Sequence, residues 1–235
     1  VLEALEKLNQ LGLKSNLTLF VLDKEQRLVG TLTDGDIRRN IIDGVELNNS
    51  IKKIMKKDFR YLSPGKIHLN KVKEFKKLEL SLVPILDDEK HIVDIINFNV
   101  QKSILPVDAI IMAGGEGKRL NPQTLKTPKP LLKIGNKPII QYGIERLVSY
   151  GIKNIFISVN YLKNQIIDYF DDGKEFQANI KYLHEKSKLG TIGSATLAPN
   201  FLNDYVLVMN SDLLTNIDLE DLFLDFINNS ADMSV

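Results

Sequence analysis

Between Ala113 and Pro130 the sequence reads AGGEGKRLNPQTLKTPKP, which gathers three glycines, one arginine and three lysines behind a short apolar run. Glycine lets the backbone turn sharply and aim several N–H groups into one concavity, a nest suited to phosphate oxygens. Arg119 and Lys129 add the charge and directed hydrogen bonds that a polyphosphate accepts. The prolines at 122, 128 and 130 stiffen a loop that would otherwise lose entropy on closing. The spacing is neither G-x-x-x-x-G-K-[ST] nor G-x-G-x-x-G. A plain glycine turn leaves Arg119, the Pro-Lys-Pro and their order unexplained.

The elements around this loop follow from the apolar pattern. Val107–Met112 reads as a buried parallel strand. After the loop come a helix and strand within NKPIIQYGIERLVSYGIKNIFISVNYL, a helix over about 165–170, and a strand over about 180–183. A helix starting near Ile192 and the strand YVLVMN from Tyr205 complete the pattern. Strands alternating with helices predict an α/β domain with a largely parallel sheet. Ligands of such sheets bind beyond the carboxyl ends of the strands, where both the glycine loop and Asp212 would lie. The bland alternative for Asn210-Ser211-Asp212 is a turn or a helix cap.

The first hundred residues contain a duplication. LDKEQRLVGTLTDGD from Leu22 and LDDEKHIVDIINFNV from Leu86 align without gaps. Leu2, Leu5 and Leu8 precede the first copy at helical spacing, with Gly12 as a stop, and Val72, Phe75 and Leu78 precede the second. The unit reads helix, strand, turn, strand, helix. Two copies predict a paired module and not a solenoid.

Residues 1–102 resemble a pair of CBS domains, with copies at about 1–58 and 59–102, on the strength of GTLTDGDIRR from Gly30 to Arg39. That resemblance implies an adenosine-type ligand at a Thr-x-x-Asp element, here Thr33 and Asp36, with the carboxylate accepting from the ribose diol. Asn97 and Val100 stand at the aligned positions of the second copy, so one site per pair is expected. Asp34 and Asp36 also suit a helix N-terminus, and the capping and ligand roles can coexist. Dimerisation through such pairs is a further implication.

Residues 106–235 resemble the N-terminal part of the sugar-nucleotide pyrophosphorylases, a Rossmann-like nucleotidyltransferase fold, by G-G-x-G-x-R-L-x-P-x-T…P-K-P. Gly114, Gly115, Gly117, Arg119, Leu120, Pro122, Thr124, Pro128, Lys129 and Pro130 carry the match. The resemblance implies that the loop from Ala113 binds a nucleoside triphosphate, that Arg119 holds its distal phosphates, and that Lys129 stabilises the transition state. EKSKLGTIGSA from Glu185 resembles the family's base-binding segment, with Gly190 and Thr191 in Leu-Gly-Thr-x-Gly. Glu185 lies where uridylyl-transferring relatives carry glutamine. A carboxylate can accept from both N1–H and the N2 amine of guanine, whereas uracil offers one donor. Guanine is therefore favoured; a surface carboxylate beside lysines is the alternative. Asp212 is implied as a ligand of Mg²⁺, a hard cation for which one or two carboxylates suffice. The implied reaction joins a sugar 1-phosphate to the nucleotide with release of pyrophosphate. A nucleotide-sensing module without catalysis is the competing reading.

The net charge of +1 argues against a general nucleic-acid binder. Lys52, Lys53, Lys56 and Lys57 read as a solvated helix face. No cysteine is present, which excludes disulfides and thiolate metal sites, and His68, His91 and His184 show no metal spacing. No apolar run reaches the length of a membrane span, and no secretory signal opens the chain, so a cytoplasmic location is expected. The chain opens at Val1 and closes on the strand-like ADMSV, so both ends are expected to be cut from a longer chain, with the nucleotidyltransferase domain truncated.

Overall fold

The strands of the first hundred residues pair in antiparallel hairpins, whereas the four long strands of the remainder run parallel. The computed structural model describes residues 1–11, 17–64, 69–186 and 190–235. They divide into two compact units, Val1–Val100 and Gln101–Val235. Gly12, His68 and Leu189, singled out in the sequence, lie outside the described residues.

In the first unit, helix α1 (Leu2–Leu11) buries Ala4 and Leu8, one turn apart on one face. It is followed by the antiparallel pair β1 (Thr18–Leu22) and β2 (Leu28–Thr33), then by α2 (Asp34–Ile42). The second copy supplies α3 (Leu69–Lys77) and the antiparallel pair β3 (Leu82–Leu86) and β4 (Ile92–Asn97). Both hairpins break register at the equivalent place, Val21/Leu22 and Ile85/Leu86, so the repeat extends to backbone detail. Strand β2 alternates buried and half-buried residues, and Leu32 joins Leu8, Ile37 and Ile54 in the core of the first copy. The copies meet through their turns, where Arg27 bridges to His91 and Leu28 N donates to Lys90 O at 2.8 Å.

Three expectations are corrected. No helix follows β4; residues 98–100 form a turn. The capping pair Thr33 and Asp36 that starts α2 is replaced there by Asn97 and Val100, which leaves the backbone without that start signal. Lys52 and Lys53 sit on a single 3₁₀ turn, Ile51–Lys53, and Lys56 lies beyond it with Nζ 3.1 Å from Asp36 Oδ1, so these lysines do not form one solvated helix face. The terminal ADMSV forms no strand, because no described neighbour supplies ladder hydrogen bonds to it.

The second unit opens with β5 (Val107–Met112), followed by a small antiparallel pair, β6 (Lys133–Ile134) and β7 (Lys137–Pro138). Then come α4 (Ile139–Ser149), β8 (Asn154–Val159), α5 (Lys163–Phe170), β9 (Asn179–His184), α6 (Gly190–Gly193), β10 (Tyr205–Asn210) and α7 (Leu219–Asn228). The helix expected near Ile192 is thus one turn, continued by 3₁₀ residues Ser194–Leu197. The four long strands run parallel in the order β10-β5-β8-β9. All six residues of β8 are buried, as expected of a parallel strand covered on both faces. Ile110, Phe156 and Leu183 centre a core to which Val206 and Val208 add from β10.

Asp108 is fully buried inside the apolar β5. Its carboxylate accepts from Leu202 N at 2.6 Å, Asn203 N at 3.3 Å and Asn203 Nδ2 at 2.8 Å. Those bonds offset the cost of burying the charge and dock the loop that delivers β10 against β5. From β5 the sheet grows through β8 to β9 on one side, and then β10 is added on the other. That reversal makes β5/β10 a topological switch point, with its crevice at the carboxyl end.

Candidate functional site

The strand ends bring the singled-out residues to one edge of the sheet. Behind β5 lies the glycine loop; behind β8, Asn160 and Tyr161; behind β9, Glu185; behind β10, Asp212. The parallel register alone puts these four segments side by side.

The loop doubles back on itself at Gly117. This residue has φ +63°, and a Cβ there would lie 3.0 Å from both Lys129 Cβ and Thr124 Cγ2. Glycine is required on both counts, and the close approach packs Gly117 against the Pro-Lys-Pro turn. Thr124 is fully buried, with Oγ1 3.0 Å from Gly117 O and 2.8 Å from Asn121 Oδ1, and ties the middle of the loop together. From outside the loop, Tyr161 Oη donates to Thr124 O at 3.1 Å and Gln165 Nε2 donates to Lys126 O at 2.9 Å. The entry to α5 therefore holds the loop's second half in place.

Lys129 and Asp212, 83 positions apart, form an ion pair through Nζ and Oδ2. Their side chains are 37% and 35% exposed. At that exposure an ion pair contributes about 1 kcal/mol or less, which a polyanionic ligand can exchange for its own contacts. Arg119 stands exposed on the 3₁₀ turn Lys118–Leu120 and makes no ion pair among the described residues. Gly115 faces open space, and Ala113 is buried, its N–H donating to Ser158 O at 2.9 Å. Ala113, Gly115, Gly117, Lys129 and Asp212 thus lie about the β5/β10 switch point, with Arg119 exposed on the same loop. Among the described residues no cluster of three or more His, Cys, Asp or Glu side chains is placed to hold a metal ion. The donor set around Asp212 fits a hard cation that draws its remaining oxygens from a bound phosphate chain, and it does not fit an all-protein cage.

Glu185 marks the other end. Its N–H donates to Val159 O at 3.1 Å, and its Oε1 accepts from the hydroxyl of the fully buried Ser158. Gly114 lies over it: a Cβ on Gly114 would come within 3.3 Å of both Glu185 Oε1 and Asn160 Cβ. The glycine loop therefore touches Glu185 at Gly114 and Lys129 at Gly117, so one loop spans both ends of the crevice. Gly190, at φ +77°, and Thr191 lie in α6. The segment that follows is held to the sheet by Ser194, whose Oγ is 3.1 Å from Met112 Sδ.

Thr33 and Asp36 belong to the first unit and form a reciprocal capping box on α2. Asp36 is 3% exposed; its Oδ2 accepts from Thr33 N at 3.0 Å and Thr33 Oγ1 at 2.6 Å. Its Oδ1 takes Arg39 Nη2 at 2.7 Å and Lys56 Nζ at 3.1 Å. Burial on its own would raise this carboxyl's pKa, but the bonds from Thr33, Lys56 and Arg39 outweigh it and bring it down to about 2.

Sequence reasoning missed Ser158, Asn160, Tyr161, Gln165 and Lys56. One of them left a signal: Ser158 is the single polar residue in the apolar run IFISV. Gln165 and Lys56 act through backbone or charge contacts made only by the folded chain, and nothing in their neighbours marks them.

The nucleotidyl transferase family model matches residues 108–235, and the CBS domain model matches residues 1–43. Mannose-1-phosphate guanylyltransferase of Mycobacterium tuberculosis is 36% identical over 131 residues, which is 55% of this chain and 36% of that protein. The bifunctional protein GlmU of Methanococcus maripaludis is 36% identical over 116 residues, 49% of this chain and 27% of that protein. Mannose-1-phosphate guanylyltransferase catalytic subunit beta of Dictyostelium discoideum is 38% identical over 117 residues, 48% of this chain and 33% of that protein. The chain spans about a third of the length of these relatives, or less. With the signature loop assembled at the switch point of a parallel sheet and the family model running from β5 to the last residue, the chain belongs to the nucleotidyl transferase family and carries a CBS domain at its N-terminal end.

Proposed function

We propose that the second unit takes part in transferring a nucleoside monophosphate from a nucleoside triphosphate, guanosine triphosphate by preference, to a sugar 1-phosphate, with release of pyrophosphate. The observation that carries this reading is the single glycine loop touching Glu185 at one end and the Lys129–Asp212 pair at the other. Strands in a sheet lie about 4.8 Å apart, so the step from β9 to the β5/β10 crevice matches the reach of a nucleotide from base to phosphates. The relatives named as mannose-1-phosphate guanylyltransferases support guanine and a hexose 1-phosphate.

In this mechanism a phosphate oxygen of the sugar 1-phosphate attacks the α-phosphorus, the bond to the β-phosphate breaks, and pyrophosphate leaves with the electron pair. The attacking oxygen is already ionised, so neither a protein nucleophile nor a general base is needed. Catalysis is positioning and charge neutralisation. The backbone from Ala113 to Gly117 cradles the phosphates, Arg119 holds the distal ones, and Lys129 leaves Asp212 to meet the negative charge that grows in the transition state. A Mg²⁺ held by Asp212 and phosphate oxygens would supply further neutralisation of the triphosphate. Glu185 accepts from the guanine edge, beside Gly114.

A sensing module without catalysis has no use for a lysine and a carboxylate meeting at the phosphate end. For the first unit we keep an adenosine nucleotide at Thr33 and Asp36 as the proposed ligand; a ribose diol there must displace Arg39 or Lys56 from Oδ1.

The test is pyrophosphate release by the full-length protein with each of the four common nucleoside triphosphates against several sugar 1-phosphates. The expected result is release that requires both substrates and is fastest with GTP. Nucleotide binding with no release under any pairing would overturn the enzymatic reading in favour of the sensor.

A further inference from the structure

Strand β8 is buried throughout, and at its carboxyl end Ser158 stands as a polar side chain among Ile155, Phe156, Ile157 and Val159. Ser158 is fully buried, and its hydroxyl donates to Glu185 Oε1. A buried hydroxyl in an apolar strand costs free energy unless it is bonded, and bonding to an ionised acceptor makes the contact stronger than a neutral one. Two further contacts hold Glu185, one at its backbone and one at its carboxylate. The Glu185 backbone is fixed by its bond to Val159 O, and Gly114 closes over Oε1 so nearly that a single added carbon would stand 3.3 Å away.

We infer that Ser158 is a positioning residue for nucleobase selection: it fixes the plane of the Glu185 carboxylate so that the carboxylate can accept both donors of a guanine edge. This deepens the proposed function and rests on its assignment of Glu185 to the base. The chemistry favours a fixed acceptor. N1–H and the N2 amine of guanine point the same way at a set spacing, so both are satisfied only by a carboxylate in their plane. A carboxylate oxygen has lone pairs enough to take Ser158 and a base donor together. A freely rotating carboxylate would meet one donor at a time, and part of its contribution would go to ordering the side chain on binding. Inosine triphosphate lacks the N2 amine and reads out the second contact alone.

The experiment is calorimetric titration of GTP, ITP and UTP into the full chain, as wild type and as Ser158→Ala, Ser158→Thr and Glu185→Gln. The wild type is expected to bind GTP about tenfold tighter than ITP, and ITP tighter than UTP. Ser158→Ala is expected to lose most of the GTP/ITP ratio with UTP affinity unchanged, and Ser158→Thr, which keeps the hydroxyl, to restore it. A merely structural role would weaken all three ligands alike or none. Should Ser158→Ala fail to fold, Ser158→Cys takes its place, since a thiol is a weak donor. If Glu185→Gln loses the guanine preference while Ser158→Ala keeps it, the positioning role is overturned and the base assignment stands. If the wild type shows no preference for GTP, the base assignment is overturned and the positioning role with it.

Discussion

Replacing Asp36 by alanine removes four contacts at once: those from Thr33 N, Thr33 Oγ1, Arg39 Nη2 and Lys56 Nζ. The carboxylate's pKa gives the size of the loss. Held at about 2 against an ordinary 3.8, it contributes about 2 kcal/mol to the folded state at neutral pH. A helix cap alone is worth about 1 kcal/mol, and the two cations are more than half exposed, so their share is screened. The bonds overlap, and about 2 kcal/mol is therefore the whole effect. Hydrogen exchange read by mass spectrometry on the full chain, without any nucleotide, isolates it: peptides over residues 28–42 should lose protection about 30-fold at pH 7 in Asp36→Ala. The sign with pH is fixed by the lowered pKa. The contribution is complete above about pH 4 and is lost as pH falls through about 2, so the difference between wild type and variant must narrow below pH 4. Protection in the variant within about threefold of wild type at pH 7, or a difference undiminished at pH 2.5, would refute the capping argument.

Arg119→Ala should weaken triphosphate binding about tenfold more than monophosphate binding, by calorimetry with both ligands; equal losses would remove the arginine from the distal phosphates. In the full-length protein, Lys129→Ala should lower kcat about 100-fold with a smaller change in KM, whereas a raised KM at unchanged kcat would assign the lysine to ground-state binding. His91 should titrate above 6.5: the Glu25 carbonyl bonded to Nε2 raises it first, partial burial opposes this, and the Asp87 and Glu89 carboxylates raise it further. Stability from this contact is therefore full below pH 6.5 and fades as pH rises through the higher folded value, a slope that His91→Gln should abolish in thermal melts. A ring titration by NMR at or below 6.5 would contradict it.

Much of the element order was legible from residue pattern alone, though helix α7 and the β6/β7 pair were not. Val107–Met112 is β5 to the residue, because a mostly apolar run with β-branched Val107, Ile110 and Ile111, bounded by Pro106 and by Gly114 and Gly115, leaves little choice. The repeat was legible too, and the structure extends it to a shared register break in the two hairpins. Motif residues such as Gly117 and Lys129 marked the loop as a candidate phosphate site by type and order. What they touch was another matter. That Gly117 must lie against Lys129 follows from the loop doubling back on itself, and that Lys129 meets Asp212 follows from adding β10 beside β5, a placement fixed in part by the buried Asp108 holding the loop before β10. Neither the pairing of Ser158 with Glu185 nor that of Lys56 with Asp36 has a local signature, because each joins segments 20 or more residues apart through one polar contact. The second copy's missing helix sits at this same boundary: the apolar pattern after β4 permits a helix, and the absence of a capping pair at Asn97 and Val100 decides against it. Periodicity specifies local backbone because burial is repeated at every turn or alternate residue, whereas a site depends on single contacts across the sheet edge, and those exist only once the strands have chosen their neighbours.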